Sequence, residues 1–155
     1  MLRGQGWIVE GMPADSLETP SDGYFEELPE AECVALLSTT TVGRIAFAST
    51  LGQQLLPINF VVLDAHVYFH TAVNSVLDEL AGGASDVAFG VDFHDDLFQI
   101  GWSVLVQGST AQVVDAERIA ELSDLSRLRP WAAGLRTVLV ELAPRHISGR
   151  KVSQH

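Results

Sequence analysis

Three runs rich in β-branched and aromatic residues, 42–48, 54–63 and 66–71, follow one another with turn signals at Leu51-Gly52 and Asp64-Ala65 between them. This pattern predicts a three-strand meander. Just upstream, Leu28-Pro29-Glu30-Ala31-Glu32 puts a proline and acids where a first helical turn favours them. Cys33, Leu36 and Leu37 follow at helical spacing, so a short helix is predicted over 29–38. Past the meander, Asn74-Ser75 offers an N-cap to Val76, Leu77 and Leu80, and Gly82-Gly83 ends that short helix after a turn or two. Strands resume over 87–93 and 98–114; the second is too long to run straight, and Gly101 and Gly108 are where it can bulge or bend. Residues 115–125 read as a helix, 130–134 as a loop, and 137–142 as a final strand of mostly Val and Leu.

Six strands with helices only at the margins of the pattern predict a mainly β fold with α additions, built as an antiparallel barrel. A parallel sheet would need a helix between nearly every strand pair. Residues 1–27 carry six acids and no apolar periodicity beyond the short patch Trp7-Ile8-Val9. They read as an N-terminal arm ahead of a barrel domain over 28–155.

Composition narrows the classes. With 155 residues, 47% of them apolar and 19% charged, the chain can pack one ordinary core. A formal charge of −11 repels phosphate backbones and anionic bilayers, so neither nucleic acid nor membrane is an expected partner. Cys33 is the only cysteine and can form no internal disulfide, and the first residues lack the pattern of a secretion signal; a cytoplasmic location is expected. The cations are unevenly placed. Arg44 and Arg118 bracket a stretch, 45–117, with no Lys or Arg at all. An anion held by the central strands must therefore be bound by neutral donors, or by cations from Arg44, the C-terminal third or a second subunit.

Candidate chemistry is sparse. His66 and His70 share a strand face but stand about 13 Å apart, too far for one ion, and His94-Asp95-Asp96 reads as a solvated turn, so no metal site is assigned. No Gly-x-Ser-x-Gly elbow and no Gly-rich phosphate loop occurs, and Cys33, on the apolar side of its helix, reads as a structural thiol. What remains are polar residues among strand apolars: Arg44 alternating with Ile45 and Phe47, Asn59 before Phe60, and His70-Thr71 just ahead of Asn74-Ser75. A strand end followed by a helix N-terminus offers hydroxyls and free N–H groups, a combination suited to phosphate.

In order along the chain, Val42-Gly43-Arg44-Ile45-Ala46-Phe47, Leu56-Pro57-Ile58-Asn59-Phe60-Val61-Val62, Val67-Tyr68-Phe69-His70-Thr71-Ala72, Gly101-Trp102-Ser103-Val104-Leu105-Val106-Gln107-Gly108 and Ile147-Ser148-Gly149-Arg150 resemble the pyridoxamine 5′-phosphate oxidase-like split barrels that bind FMN. The likeness is nearest to the small actinobacterial flavin-binding proteins and the nitroimidazole-resistance branch. It implies a six-stranded split barrel that pairs as a homodimer, with FMN in clefts between subunits, and a flavin-dependent oxidoreductase. It also implies that Pro57, Ile58, Asn59 and Phe60 line the flavin ring, that His70, Thr71 and Ser75 face the phosphate, and that Trp102 and Ser103 close the cleft. Relatives commonly carry Arg at the place of His70 and Lys at that of Val76, so two phosphate-binding cations are absent, each worth about 1.5–3 kcal/mol. Arg44 or Arg150 is expected to compensate. No catalytic side chain is assigned, since hydride transfer is left to the cofactor. The alternative is a module without turnover that holds a deazaflavin or haem in the same cleft, with His70 as the haem-facing residue.

Overall fold

The computed structural model describes residues 23–125 and 137–154. Among them lie eight strands: β1 (Gly23–Glu27), β2 (Val42–Ser49), β3 (Gly52–Asn59), β4 (Val61–Leu63), β5 (His66–Ala72), β6 (Ala84–Asp95), β7 (Ile100–Gln112) and β8 (Thr137–Gln154). Two α-helices, α1 (Glu30–Leu37) and α2 (Ala116–Ser123), and a 3₁₀ helix, Val76–Gly82, complete the described chain. The strands make one curled antiparallel sheet in the order β3-β2-β6-β7-β8-β5-β4, with β1 added beside β8. The expected loop at 130–134 and residues 1–22 of the expected arm lie outside the described residues.

Two strands exceed the six predicted, and each has a local cause. The expected arm ends in β1, which pairs with the far end of β8 from Gly23 opposite Gln154 to Glu27 opposite Arg150. The run 54–63 breaks in two at Phe60, whose N–H donates to the Thr41 carbonyl at 3.1 Å. The Phe60 ring is buried and meets Phe89 edge-on, centroids 4.8 Å apart.

The final strand is far longer than its apolar stretch, because Pro144, Gly149 and the polar residues between 145 and 154 hide it in the pattern. β8 pairs with β5 through 137–142, with β7 through 140–152 and with β1 through 150–154. Between β7 and β8 the register slips: Gln107 faces His146 but Gly108 faces Pro144, leaving Arg145 as the extra residue of a bulge. Gly108 is required there, since a Cβ would run into the Ala143 carbonyl. The slip exchanges the faces of β8. Val140 and Leu142 point into the core before it, Ile147 after it.

Inside the curl, Ile45, Phe47, Phe60, Phe69, Phe89 and Leu142 form the main core, capped by Cys33 and Leu37 of α1 and Leu80 of the 3₁₀ helix. Burial, with the carboxylates of Glu32 and Glu30 beside it, pushes the Cys33 thiol pKa up and keeps it protonated, which suits a packing role. Thr110, buried on β7, ties the 3₁₀ helix to the sheet: its Oγ1 donates to the Leu80 carbonyl at 2.8 Å and accepts from the Ala84 N–H at 3.1 Å. No helix among the described residues is long and apolar enough to cross a membrane.

A second, smaller cluster lies on the outside of the sheet, where Leu122 of α2 covers Val61, Tyr68 and Leu139. Tyr68 is fully buried, and its hydroxyl donates to Glu141 Oε2 at 2.7 Å. His66 Nδ1 stands 3.2 Å from the same oxygen. Arg118 of α2 lies over the Tyr68 ring, 5.8 Å from its centroid, and donates to Asp64 at 3.1 Å. Burial first, then the Glu141 carboxylate, raises the Tyr68 pKa well above the ordinary phenol range. An unfolded phenol ionises near pH ~10. Stability from this group is therefore complete below about pH 10 and is lost as pH rises beyond, whereas the raised Cys33 thiol contributes a loss that begins earlier, at about pH 8.5. Tyr68→Phe is expected to flatten the limb above pH ~10 in a series of denaturant midpoints against pH; a limb of unchanged slope would assign that loss to other groups.

Candidate functional site

Because neighbouring residues of a strand point to opposite faces, register decides which candidate side chains share a surface. Arg44 stands opposite Pro57 on one side and Gly90 on the other, Gly90 opposite Leu105, and Asp92 opposite Ser103, which in turn faces Arg150. Arg44, Pro57, Ser103 and Arg150 thus share the outward face of the sheet, away from the core. Asn59 lies on this face as well, two residues beyond Pro57.

On that face a cavity of about 410 Å³ opens over β2, β6 and β7. Its floor is shallow because Ala46, Ala88 and Gly90 carry almost no side chain, while Leu55 and Leu105 form apolar walls. Polar groups gather at one end: Arg44, Asp92 and Ser103. Arg44 and Asp92 approach only to 3.8 Å with side chains 64% and 42% exposed, a loose pair of the kind worth little in water, so the guanidinium can turn toward a ligand at small cost. An apolar trough with a few convergent donors, in this volume range, is the ordinary form of a small-molecule site.

Other expected site residues fall elsewhere. Ile58 and Phe60 point inward and are core residues. Trp102 lies on the reverse face from Ser103, packed against the core and stacked with Phe93 at 6.4 Å. The motifs 57–60 and 102–103 therefore straddle the sheet; of their members only Ser103 lines the cavity, while Pro57 and Asn59 lie on the same outward face beyond it. His70 and Thr71 part in the same way: His70 shares its face with Tyr68 and His66, while Thr71 turns toward the barrel interior and is buried. β5 lies four strands from β2 in the hydrogen-bonded order, and His70 does not line the cavity.

The donors expected to take a phosphate are already occupied. Thr71 Oγ1 lies 2.8 Å from Ser75 Oγ, which itself donates to the Ala72 carbonyl at 2.7 Å. The Asn74 N–H donates to Asp78 Oδ2 at 2.8 Å, and the Ser75 N–H to Ala72. A carboxylate of the protein thus holds the amide that an anion would seek, Glu79 follows it in the same turn, and Val76 packs against the core. The cations are on the outer face instead. Asp92, Leu55, Leu105 and Asp78 have no motif to reveal them; the period of two from Arg44 to Ala46 was the one available hint.

The chain matches the pyridoxamine 5′-phosphate oxidase family model over residues 29–151, about four-fifths of its length, and belongs to that family. Its curled half-barrel is the family's split barrel. Among solved structures it is similar to a FAD binding protein from Mycobacterium smegmatis, 34% identical over 81% of this chain and 98% of that one, with a TM-score of 0.68. It is also similar to a conserved protein of unknown function from Corynebacterium diphtheriae, 31% identical over 84% and 98% of the two chains, with a TM-score of 0.65. An uncharacterized protein of Mycobacterium tuberculosis is 28% identical over 130 residues, which are 81% of this chain and 84% of that protein.

Since His70 stands apart from both the cavity and the Thr71-Ser75 pair, His70→Arg should leave the ratio of FMN to riboflavin affinity within about twofold of its original value, measured by fluorescence quenching. A tenfold rise in that ratio would place the phosphate beside residue 70.

Proposed function

We propose that this protein is a flavin-dependent oxidoreductase that holds the flavin ring in the outer-face cavity between Arg44 and Ser103, and that two copies pair across this face. The observation that carries the reading is the cavity itself: an apolar trough whose only polar groups collect at one end, matching a ring system that is flat and apolar along one edge and rich in hydrogen-bonding groups along the other. The similarity to a FAD binding protein at 34% identity supports the same reading. FMN and deazaflavins carry a comparable tricyclic ring and fit the same trough. A bound flavin supplies hydride transfer; Arg44 and Ser103 would orient its polar edge, and Leu55 and Leu105 would keep water from its apolar one.

Pairing of two chains is supported by what rings the cavity. Val42, Leu55 and Leu105 are 52%, 66% and 40% exposed and lie on the same outward face, an apolar rim around a small number of polar groups. A second copy laid over this rim deepens an open trough into a cleft.

Two measurements test these statements. Titration with FMN or FAD should saturate at micromolar concentration, and Arg44→Ala should weaken it about tenfold, corresponding to ~1.4 kcal/mol; no saturable binding of any flavin would sink the reading. Sedimentation should give about twice the 16.8 kDa of one chain. Leu105→Glu is expected to return the mass to that of one chain and to weaken flavin binding with it; tight flavin binding by a monomer would show that the trough suffices alone.

A further inference from the structure

The polar side chains that line the outer-face cavity come from three different strands. In the hydrogen-bonded order β2-β6-β7 they follow one another as Arg44, Asp92 and Ser103. Asp92 stands directly opposite Ser103, and residues paired in this way on one face bring their Cβ atoms within about 4.5–5.5 Å. On its other side, Asp92 Oδ1 lies 3.8 Å from the Arg44 guanidinium. The cavity therefore ends in a donor, an acceptor and a donor: a guanidinium can only donate, a carboxylate can only accept, and the Ser103 hydroxyl can donate.

Among the described residues that line this cavity, Asp92 is the only acid and Arg44 the only cation. Resting on the flavin reading above, we infer that Asp92 is a specificity-determining residue: its carboxylate accepts the ring's imide N–H, while Arg44 and Ser103 donate to the carbonyls on either side of that N–H. The ligand class selected is then a ring with an unsubstituted imide edge, and not any flat apolar tricycle.

A carboxylate offers about four lone-pair sites, so Asp92 keeps its contact with Arg44 while another site takes the N–H. A bond from an N–H to a carboxylate is roughly twice as strong as one between neutral groups, which makes the central position of the three the discriminating one. A flat ligand lying over this end strips water from the carboxylate. If the ligand has no N–H to give back, Asp92 is left with the loose Arg44 contact alone, and that lost hydration counts against the ligand. The edge read in this way belongs to the ring, so riboflavin, FMN and FAD all present it and Asp92 does not choose among them.

The experiment compares riboflavin with its N3-methyl derivative, two neutral ligands without phosphate, by calorimetric titration of the full chain. The methyl group replaces the imide proton and is expected to weaken binding about tenfold or more. In Asp92→Ala, riboflavin should lose about tenfold while the methylated ligand changes by less than about twofold, so that the preference disappears. Asp92→Asn, which keeps a carbonyl acceptor, should retain part of it. Equal binding of the two ligands by the unaltered protein overturns the inference, as does an Asp92→Ala variant that keeps the full preference or weakens both ligands equally. Those results leave the flavin site itself standing, because riboflavin still reports on it; failure of both ligands to bind removes the site and the inference together.

Discussion

The one-residue slip between β7 and β8 governs what each face of this sheet displays. Ahead of Arg145, β8 sends Val140 and Leu142 inward and Glu141 outward; past it, Ile147 is inward and Ser148 and Arg150 are outward. Without the extra residue, strict alternation would carry Arg150 into the core and Ile147 into water. Burying an unpaired guanidinium costs several kcal/mol, far more than a bulge. The slip depends on Gly108, because only a residue without Cβ lets the Ala143 carbonyl pass so close. The main core, the Tyr68 cluster and the cation-bearing outer face all inherit their composition from this local geometry.

The two sides of the sheet divide the work. Inside, aromatic and aliphatic side chains from β2, β5, β6 and β8 bury one another, and α1 and the 3₁₀ helix close the curl. Outside, α2 covers only the β4-β5-β8 region through Leu122 and Arg118, leaving the β2-β6-β7 region uncovered by any other described element. That uncovered region carries the small residues of the cavity floor. Ala46, Ala88 and Gly90 contribute little to the core, and their size matters because a flat ligand or a second chain can approach the backbone there.

Much of the barrel was legible in the sequence because most strands declare themselves through β-branched and aromatic runs, and because Gly82-Gly83 and Asp64-Ala65 mark real stops and turns. Gly83, Asp64 and Ala65 all adopt left-handed backbone, with φ of 98°, 52° and 64°. β1 was not legible, since Tyr24 and Phe25 amid acids carry no alternation, and its pairing partner lies at the other end of the chain. The second half of β8 was hidden for a related reason: its apolar residues are spaced by a bulge, which breaks the period-two signal that identifies a strand. Of the site, the residue types were visible and their faces were not. Pro57 and Ile58, His70 and Thr71, and Trp102 and Ser103 are neighbours in sequence but look to opposite sides, and a motif read as a block assigns both to one cleft. The internal satisfaction of Thr71, Ser75 and Asn74 was equally invisible, because it depends on where Asp78 falls in a 3₁₀ turn.

β8 is the seam to which β1, β5 and β7 are all sewn, and it follows every one of them in the chain. During synthesis those three strands therefore emerge with an edge unpaired, and Gly23 must wait for Gln154 before β1 has any neighbour. Such long-range pairing makes for slow folding, because the loop-closure entropy is lost before the contacts that offset it exist. For this protein, the interval between emergence of β7 and completion of β8 is when its edges are open to other chains, so aggregation during expression is governed by that delay more than by the stability of the finished barrel.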